Sequence, residues 1–290
     1  MNFLPLLLSL ILSLFLSPKS VQADSIKVVT YNVWYGFTKK KERKPAYLEY
    51  VRSLKADIVA LQELNGYTEE SLAEDAKFWG HSYSAILKTD GFPTGITSRY
   101  PLQKIQKEIE GYHHGMLSCK TGGIWVYVIH LHPGHWEIRH REVDFLLKTL
   151  ASHNAGDQVL LVGDFNTFSE QDHKYYSQSP DMIPFFRRLD KRWKSNRNLR
   201  NDKLDYSHLT KFEKSGYLDL AAQRRKEFLG TFPTKLRLDE DNGPSRRLDY
   251  FFANQALAQK CIDARYLVNK ATDVISDHYP AIAEFSVEKP

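Results

Sequence analysis

The sequence predicts an α/β protein in which two packed β-sheets are flanked by helices. Three observations carry that prediction. Short β-branched and apolar runs recur along the chain from residue 26 onward, many of them joined by short turns. Only a few stretches have helical spacing, and this pattern favours packed sheets over a βαβ barrel. No Pro/Gly/Ser-rich linker divides residues 24–290, so they read as one domain.

Residues 26–33 are a β-branched run with Asn32 near its end, followed by the aromatic Trp34-Tyr35-Gly36. Residues 39–44 are charged and read as a solvated loop. Residues 45–54 have helical spacing, with Leu48, Val51 and Leu54 on one face. Residues 57–63 are a second buried strand, with Glu63 where it runs out, and residues 68–78 are a helix. Residues 83–87 and 94–98 are short strands punctuated by Pro93 and Pro101. Residues 116–119 and 124–131 form a hairpin about Gly122-Gly123, and its second strand leads into His130-Leu131-His132. Residues 137–150 are a helix that buries Val143, Leu146, Leu147 and Leu150.

Residues 159–162 are a buried strand that stops at Gly163, and Asp164-Phe165-Asn166 follows. Residues two apart on an extended chain share a face, so Asp164 and Asn166 leave together and Phe165 turns to the core. Residues 169–215 are long, polar and irregular, and residues 216–220 resume order. Residues 247–252 are a strand with one inward carboxylate, Asp249. Ser276-Asp277-His278-Tyr279-Pro280 precedes the last strand, residues 281–285.

Apolar residues make up 42% of the chain and charged residues 26%, which excludes a disordered polypeptide. Residues 1–16 are almost wholly apolar and lead to the small-residue site Val21-Gln22-Ala23. Residues 1–23 therefore read as a signal peptide, cut before Asp24, and the protein as secreted or periplasmic. An uncleaved anchor is the alternative, since no Lys or Arg precedes the apolar run. The formal net charge of +5 falls by one with Lys19, a mildly basic balance compatible with a phosphate-bearing substrate. No stable membrane insertion is expected after cleavage, and a monomer is expected. Cys119 and Cys261 read as two buried thiols, with a disulfide open in an exported compartment.

Polar residues thus stand at the ends of separate apolar strands: Asn32, Glu63, His130, Asp164, Asn166, Asp249, Asp277 and His278. Each taken alone has a plain reading as a turn, solvated or packed residue. Their recurrence, with two histidines and several carboxylates, points to a catalytic rim built from strand ends.

The chain resembles the endonuclease/exonuclease/phosphatase superfamily, which includes pancreatic deoxyribonuclease, apurinic endonucleases, bacterial sphingomyelinases and inositol polyphosphate phosphatases. The resemblance lies in TYNVW at 30–34, DIVALQEL at 57–64, GITSRYPL at 95–102, VIHLH at 128–132, LLVGDFNT at 160–167, RRLDYFF at 246–252 and SDHYPAIA at 276–283. It implies a four-layer α/β sandwich and phosphoester hydrolysis with Mg²⁺ or Mn²⁺. It also implies that Glu63 is a direct metal ligand, with Asn32 and Asp277 binding metal directly or through water. His278 is implied as general base and Asp249 as the carboxylate that orients it. Asp164 would position the attacking water or help hold metal. Asn166 would donate to a phosphate oxygen, and His130 would contact the phosphate or protonate the leaving oxygen. The family commonly has Thr before the first His, where this chain has Ile129.

Other features stay open. His130, His132 and His135 in HLHPGH invite a zinc reading, against which the last two read as rim or loop residues. His113-His114 reads as a loop pair, with substrate contact as the alternative. Residues 187–203 carry eight Arg and Lys, and Phe185, Phe186 and Trp193 are interleaved or adjacent. That stretch could bind nucleic acid by phosphate contact and base stacking, or form a solvated helix whose aromatics pack inward. Contact with anionic lipid is a third reading. The leading expectation is a phosphodiesterase acting on nucleic acid. The alternatives are another phosphoester, such as a lipid head group or inositol phosphate, and a non-catalytic binding protein on the same scaffold.

Overall fold

The computed structural model describes residues 25–286. The expected signal peptide, residues 1–23, lies outside the described residues. The chain runs β1 Ser25–Asn32, α1 Lys44–Leu54, β2 Ile58–Gln62, α2 Glu69–Phe78, β3 Tyr83–Ile86, β4 Gly95–Ser98 and β5 Gln103–Glu108. It continues with β6 Met116–Thr121, β7 Ile124–His130, α3 Trp136–Leu150, β8 Val159–Asp164, α4 His173–Ser177, α5 Met182–Arg192 and α6 Ser207–Lys214. It closes with β9 Tyr217–Asp219, β10 Asp249–Asn254, α7 Gln255–Ala258, β11 Cys261–Tyr266 and β12 Ala281–Ser286.

These strands make two six-stranded sheets, ordered β11-β12-β1-β2-β4-β3 and β5-β6-β7-β8-β10-β9. Each is mixed, with one parallel pair, β1 with β2 and β7 with β8. Alternation along the strands supplies two apolar faces per sheet. Val28, Ile58 and Ala60 of the first sheet meet Val126, Val128, Leu160, Val162 and Phe251 of the second. The outer face of the first sheet, Val29, Tyr31, Val59 and Leu61, is covered by Tyr47 and Val51 of α1 and Leu72 and Ala76 of α2. The outer face of the second, Tyr127, Ile129, Leu161 and Phe252, is covered by α3 and α6 through Val143, Leu146, Leu209 and Phe212. The result is the four-layer α/β sandwich the resemblance implied.

Register then aligns the polar strand ends. In the second sheet His130 pairs with Asp164, and Asp164 pairs with Asp249, so three polar residues from three strands form one row. In the first sheet Asn32 pairs with Gln62, one residue before Glu63. Gly163 makes the row possible. It has φ +140°, and a Cβ there would lie 2.1 Å from the Ile129 carbonyl oxygen of β7.

The structure corrects four expectations. The exposed edge strand β5 was missed because Gln103–Glu108 buries no side chain and leaves no alternation to read. β11 was also missed, because its inward residues are interrupted by Asp263 and Arg265 and a bulge. The charged residues 39–44 are not wholly solvated: Arg43 is buried and donates to the Trp34 and Ile275 carbonyls. The stretch 169–215 is not irregular but holds α4, α5 and α6. Met182, Phe185 and Phe186 share one face of α5 and pack with Phe168, Tyr176, Phe232 and Leu248 in a small core of their own. The inward-packing reading thus holds for both phenylalanines, whereas Trp193 is 53% exposed. Cys119 and Cys261 are free and buried.

Candidate active site

The functional side chains leave their strands through strained turns. Trp34, Tyr35, Glu63 and Asn166 all have positive φ, between 48° and 60°, without being glycine. Each such residue costs of order 1–3 kcal/mol, and such strain gathers where geometry serves a site. The turn after β1 lets Tyr35 donate its N–H to Glu63 Oε2 at 2.9 Å. The turn after β8 lets Asn166 donate its N–H to Asp164 Oδ1 at 2.9 Å.

The two sheets meet at Asn32. Its Nδ2 donates to Glu63 Oε1 and to Asp164 Oδ2, both at 3.1 Å, while its Oδ1 accepts from Trp34 N–H. Ser276 donates its hydroxyl to the Asn32 carbonyl and so brings the 276–280 loop over the strand ends. That loop carries Asp277 and His278. The His278 Nδ1 lies 2.8 Å from Asp249 Oδ2, and its Nε2 lies 3.7 Å from Asp164 Oδ2. His130 Nε2 approaches the same Asp164 oxygen at 3.8 Å. Asn166 Nδ2 donates to the Leu131 carbonyl at 3.0 Å. The structure brings all eight strand-end residues together.

Glu63, His130, Asp164, Asn166, Asp277 and His278 line a cleft of about 390 Å³. Asn32 and Asp249 stand directly behind it, bridging Glu63 to Asp164 and holding His278.

Four carboxylates in this small volume shape the titration. Burial pushes Asp164 up to about 7, with Asp249 and Glu63 adding to the rise and His278 opposing it. Burial also raises Glu63 and Asp277. For His278 burial works downward, but the Asp249 and Asp164 carboxylates reverse it and push the ring up to about 10. Burial, then His278 and His113, lower His130 to about 3, so it is a neutral imidazole near pH 7.

Sequence reasoning placed His113 and His114 in a plain loop, and the structure places both in the cleft wall. His114 stacks on His130 with centroids 4.1 Å apart, and His113 lies 4.1 Å from His132. Glu142, fully buried on α3, holds the two loops together. Its carboxylate accepts from His113 N–H at 2.8 Å and from His132 N–H at 2.9 Å. Burial lifts this carboxyl to about 7, against those two donors. Glu142→Ala should strand both amides and cost about 2 kcal/mol. The readout is a lower urea midpoint at unchanged m. An unmoved midpoint would remove the clamp.

The zinc reading of HLHPGH finds no support in the placement of its rings. Among the described residues, the groups of three close enough to share an ion are Asp164, Asp249 and His278, and His140, Asp205 and His208. In the second group both nitrogens of His208 are already engaged, by the Thr167 hydroxyl and the Trp136 carbonyl. It serves as a polar lock between α3 and α6. Trp34, Tyr35, Arg237 and Arg246 also line the cleft and were not singled out from sequence. Arg237 reaches Asp277 at 3.2 Å from a loop far from any motif, and no local pattern announces it.

Comparison with known proteins agrees with this architecture. The chain is similar to the AP endonuclease from Archaeoglobus fulgidus, with a TM-score of 0.67 at 18% identity over 90% of this chain and 100% of that one. It is also similar to the 3′ phosphatase NExo from Neisseria bound to product DNA hairpin, with a TM-score of 0.64 at 17% identity over 90% of this chain and 99% of that one. At these identities the likeness is one of fold. The uncharacterized protein YbhP of Escherichia coli K12 is 27% identical over 181 residues, 53% of this chain and 72% of YbhP. The profile of the Endonuclease/Exonuclease/phosphatase family matches residues 29–278, most of the described fold and every residue of the polar cluster. Since that match spans most of the chain, this chain belongs to the endonuclease/exonuclease/phosphatase family.

Proposed function

We propose that this phosphoester hydrolase is an exported, divalent-metal-dependent phosphodiesterase with nucleic acid as its leading substrate. One observation carries the reading: an imidazole held by Asp249 on one nitrogen presents the other to a buried acidic cleft. The fit to a cation rests on the donors. Asp249 Oδ1 and Asp277 Oδ1 are buried without a hydrogen-bond partner among the described residues, and Glu63, Asp164 and Asp277 offer only oxygen. That set suits Mg²⁺ or Mn²⁺. Glu63 and Asp277 would hold the ion, with Asn32 steering Glu63 or acting through water. When bound, such a cation would polarise a phosphoryl oxygen and offset the carboxylate charge that otherwise keeps a proton on His278.

In this scheme His278 Nε2 takes the proton of the attacking water, and Asp249 fixes the ring. Asp164 orients that water. Asn166, with one amide hydrogen on Leu131, turns the other to a phosphate oxygen. His130, held neutral, donates an N–H hydrogen bond to the leaving oxygen, which takes its proton from solvent water as its bond to phosphorus breaks.

Glu63→Gln should raise the Mg²⁺ concentration for half-maximal activity about tenfold or more, and shrink the rise in Tm that Mg²⁺ produces. An unshifted titration would contradict the assignment.

The exposed Trp193, with the Arg192 guanidinium 5.3 Å from its ring, supports nucleic acid as a stacking and phosphate-contact point. A compact phosphoester is the second reading, and two observations favour it. Arg187, Arg188, Arg197 and Arg200 are paired with Asp202, Asp241, Glu137 and Asp205, which leaves fewer cations for a backbone. Phe186, Leu189, Asn196 and Asn198 of the same segment wall the cleft. A panel of DNA, RNA, sphingomyelin, inositol phosphates and an aryl phosphodiester, with Mg²⁺ and with chelator, separates the two. Turnover of none of them would reject both.

A further inference from the structure

The cations of the cleft are not alike. Arg237 is bound to Glu240 through two nitrogens and to Asp277. The neighbouring Arg247 is locked by Asp172 and Asp219 below the surface. Arg246, only 7% exposed and also lining the cleft, has no carboxylate within 4.0 Å among the described residues.

The surroundings of Arg246 hold it firmly without neutralising it. Its backbone pairs with Phe232 in both directions, at 2.8 and 3.0 Å. Its Nη1 donates to the Asn242 and Pro244 carbonyls, at 2.7 and 2.9 Å. Its guanidinium carbon lies 4.6 Å from the Phe232 centroid, 5.1 Å from Phe185 and 5.4 Å from Phe186. Those contacts use one nitrogen and the ring faces, and leave Nε and Nη2 free of protein carboxylates. Burial lowers the guanidinium to about 10, so it is still a cation at neutral pH. A buried charge without a counter-ion is expensive, and the fork of Arg matches phosphate oxygens in pairs. Tyr176, Asp164, Asp277 and Asp241 act on it only at a distance; Asp164 and Asp277 are committed to the hydrolytic centre, and Asp241 is paired with Arg188.

We propose that Arg246 is a second anion subsite in the cleft, which takes a phosphate of the substrate other than the one hydrolysed. The subsite rests on the phosphodiesterase reading for the position of the first phosphate. The second phosphate can be a neighbouring diester of a nucleic acid strand or a terminal monoester of a compact substrate.

The test uses thymidine 5′-(4-nitrophenyl phosphate), the same ester carrying a 3′-phosphate, and its homologue in which that 3′-phosphate is a diester to a second nucleoside. With Mg²⁺, the wild-type protein should favour at least one two-phosphate ester over the first by about tenfold in kcat/KM, and which one identifies the source. Arg246→Gln should bring that ratio close to one, and Arg246→Lys, which keeps the charge but not the paired donors, should restore only part of it. A ratio unchanged in folded Arg246→Gln, or the absence of any preference in the wild type, overturns the subsite. Failure of the wild type on all three esters counts against the phosphodiesterase reading instead. The subsite is then read by calorimetric titration of the Mg²⁺-loaded proteins with methylenediphosphonate and methylphosphonate. Arg246→Gln should lose the preference for the diphosphonate by about tenfold, and equal loss for both ligands overturns it.

Discussion

Replacing His278 with alanine should lower phosphodiester turnover about 10³-fold, within the range that a positioned general base contributes. No neighbour can take over the proton. His130 is the next nearest imidazole to Asp164, but a ring held at about 3 is a weak base at neutral pH. His114 is pushed lower still by burial and by His130 and His113. Alanine also leaves Asp249 buried without its partner, which costs stability and clouds a loss of activity. His278→Asn answers that objection. Its amide nitrogen occupies the place of Nδ1 and can donate to Asp249, while nothing remains at Nε2. The loop keeps its own anchors, since Ser276 bonds the Asn32 carbonyl and Tyr279 N–H bonds the Thr231 carbonyl. His278→Asn should therefore melt above the alanine variant, though below the wild type because it carries no charge between Asp249 and Asp164, and be as inactive as the alanine variant. Wild-type turnover in either folded variant would take His278 out of the mechanism.

Strand ends were the legible part of this molecule, and loops the illegible part. Asn32, Glu63, His130 and Asp164 each follow an apolar run and Asp249 opens one, and a run of that kind states where a strand starts or stops. Pairing register does the rest, setting His130, Asp164 and Asp249 in one row. The positive φ at Glu63 and Asn166 could not be read, because neither residue is glycine and the strain is imposed by tertiary contacts. Arg237 and Glu142 were missed, and Arg246 was read only as part of the run RRLDYFF, for a related reason. Each acts on the site from a segment whose position is decided by packing, in the case of Arg246 by Phe185, Phe186 and Phe232. Composition alone could not sort the basic stretch into inward-packing and exposed residues. Phe185 and Phe186 fall on the inner face of α5, and several arginines of the stretch are spent on surface carboxylates.

In chelator, the protein should be more stable at pH 5 than at pH 8.5 by a few kcal/mol, and Asp164→Asn should remove much of the slope below pH 7. The direction follows from the buried acids. Asp164 titrates at about 7 in the fold against an ordinary value of 3.8, so the folded state binds the proton more tightly across that window. Stability from this group is full below pH 3.8 and is lost as pH rises through about 7. Each tenfold gain in proton affinity on folding is worth about 1.4 kcal/mol, which makes the total a few kcal/mol. Glu142, raised to about 7, acts in the same direction. His278 extends the decline. Its folded value of about 10 lies above 6.5, so its contribution is present below 6.5 and is lost as pH rises through about 10. The groups are close enough to titrate as one cluster, and the loss should be gradual. Asparagine at 164 cannot ionise and relieves its repulsion with Asp249 and Glu63. The metal-free variant should therefore outlast the wild type at pH 8 while turning over far less substrate. Saturating Mg²⁺ should flatten the wild-type slope, because a cation among the carboxylates offsets the charge that burial penalises. A wild type in chelator with level stability from pH 5 to 8.5 would mean that burial and mutual repulsion do not hold these acids above their ordinary values. The attraction for a divalent ion would then have lost its electrostatic source.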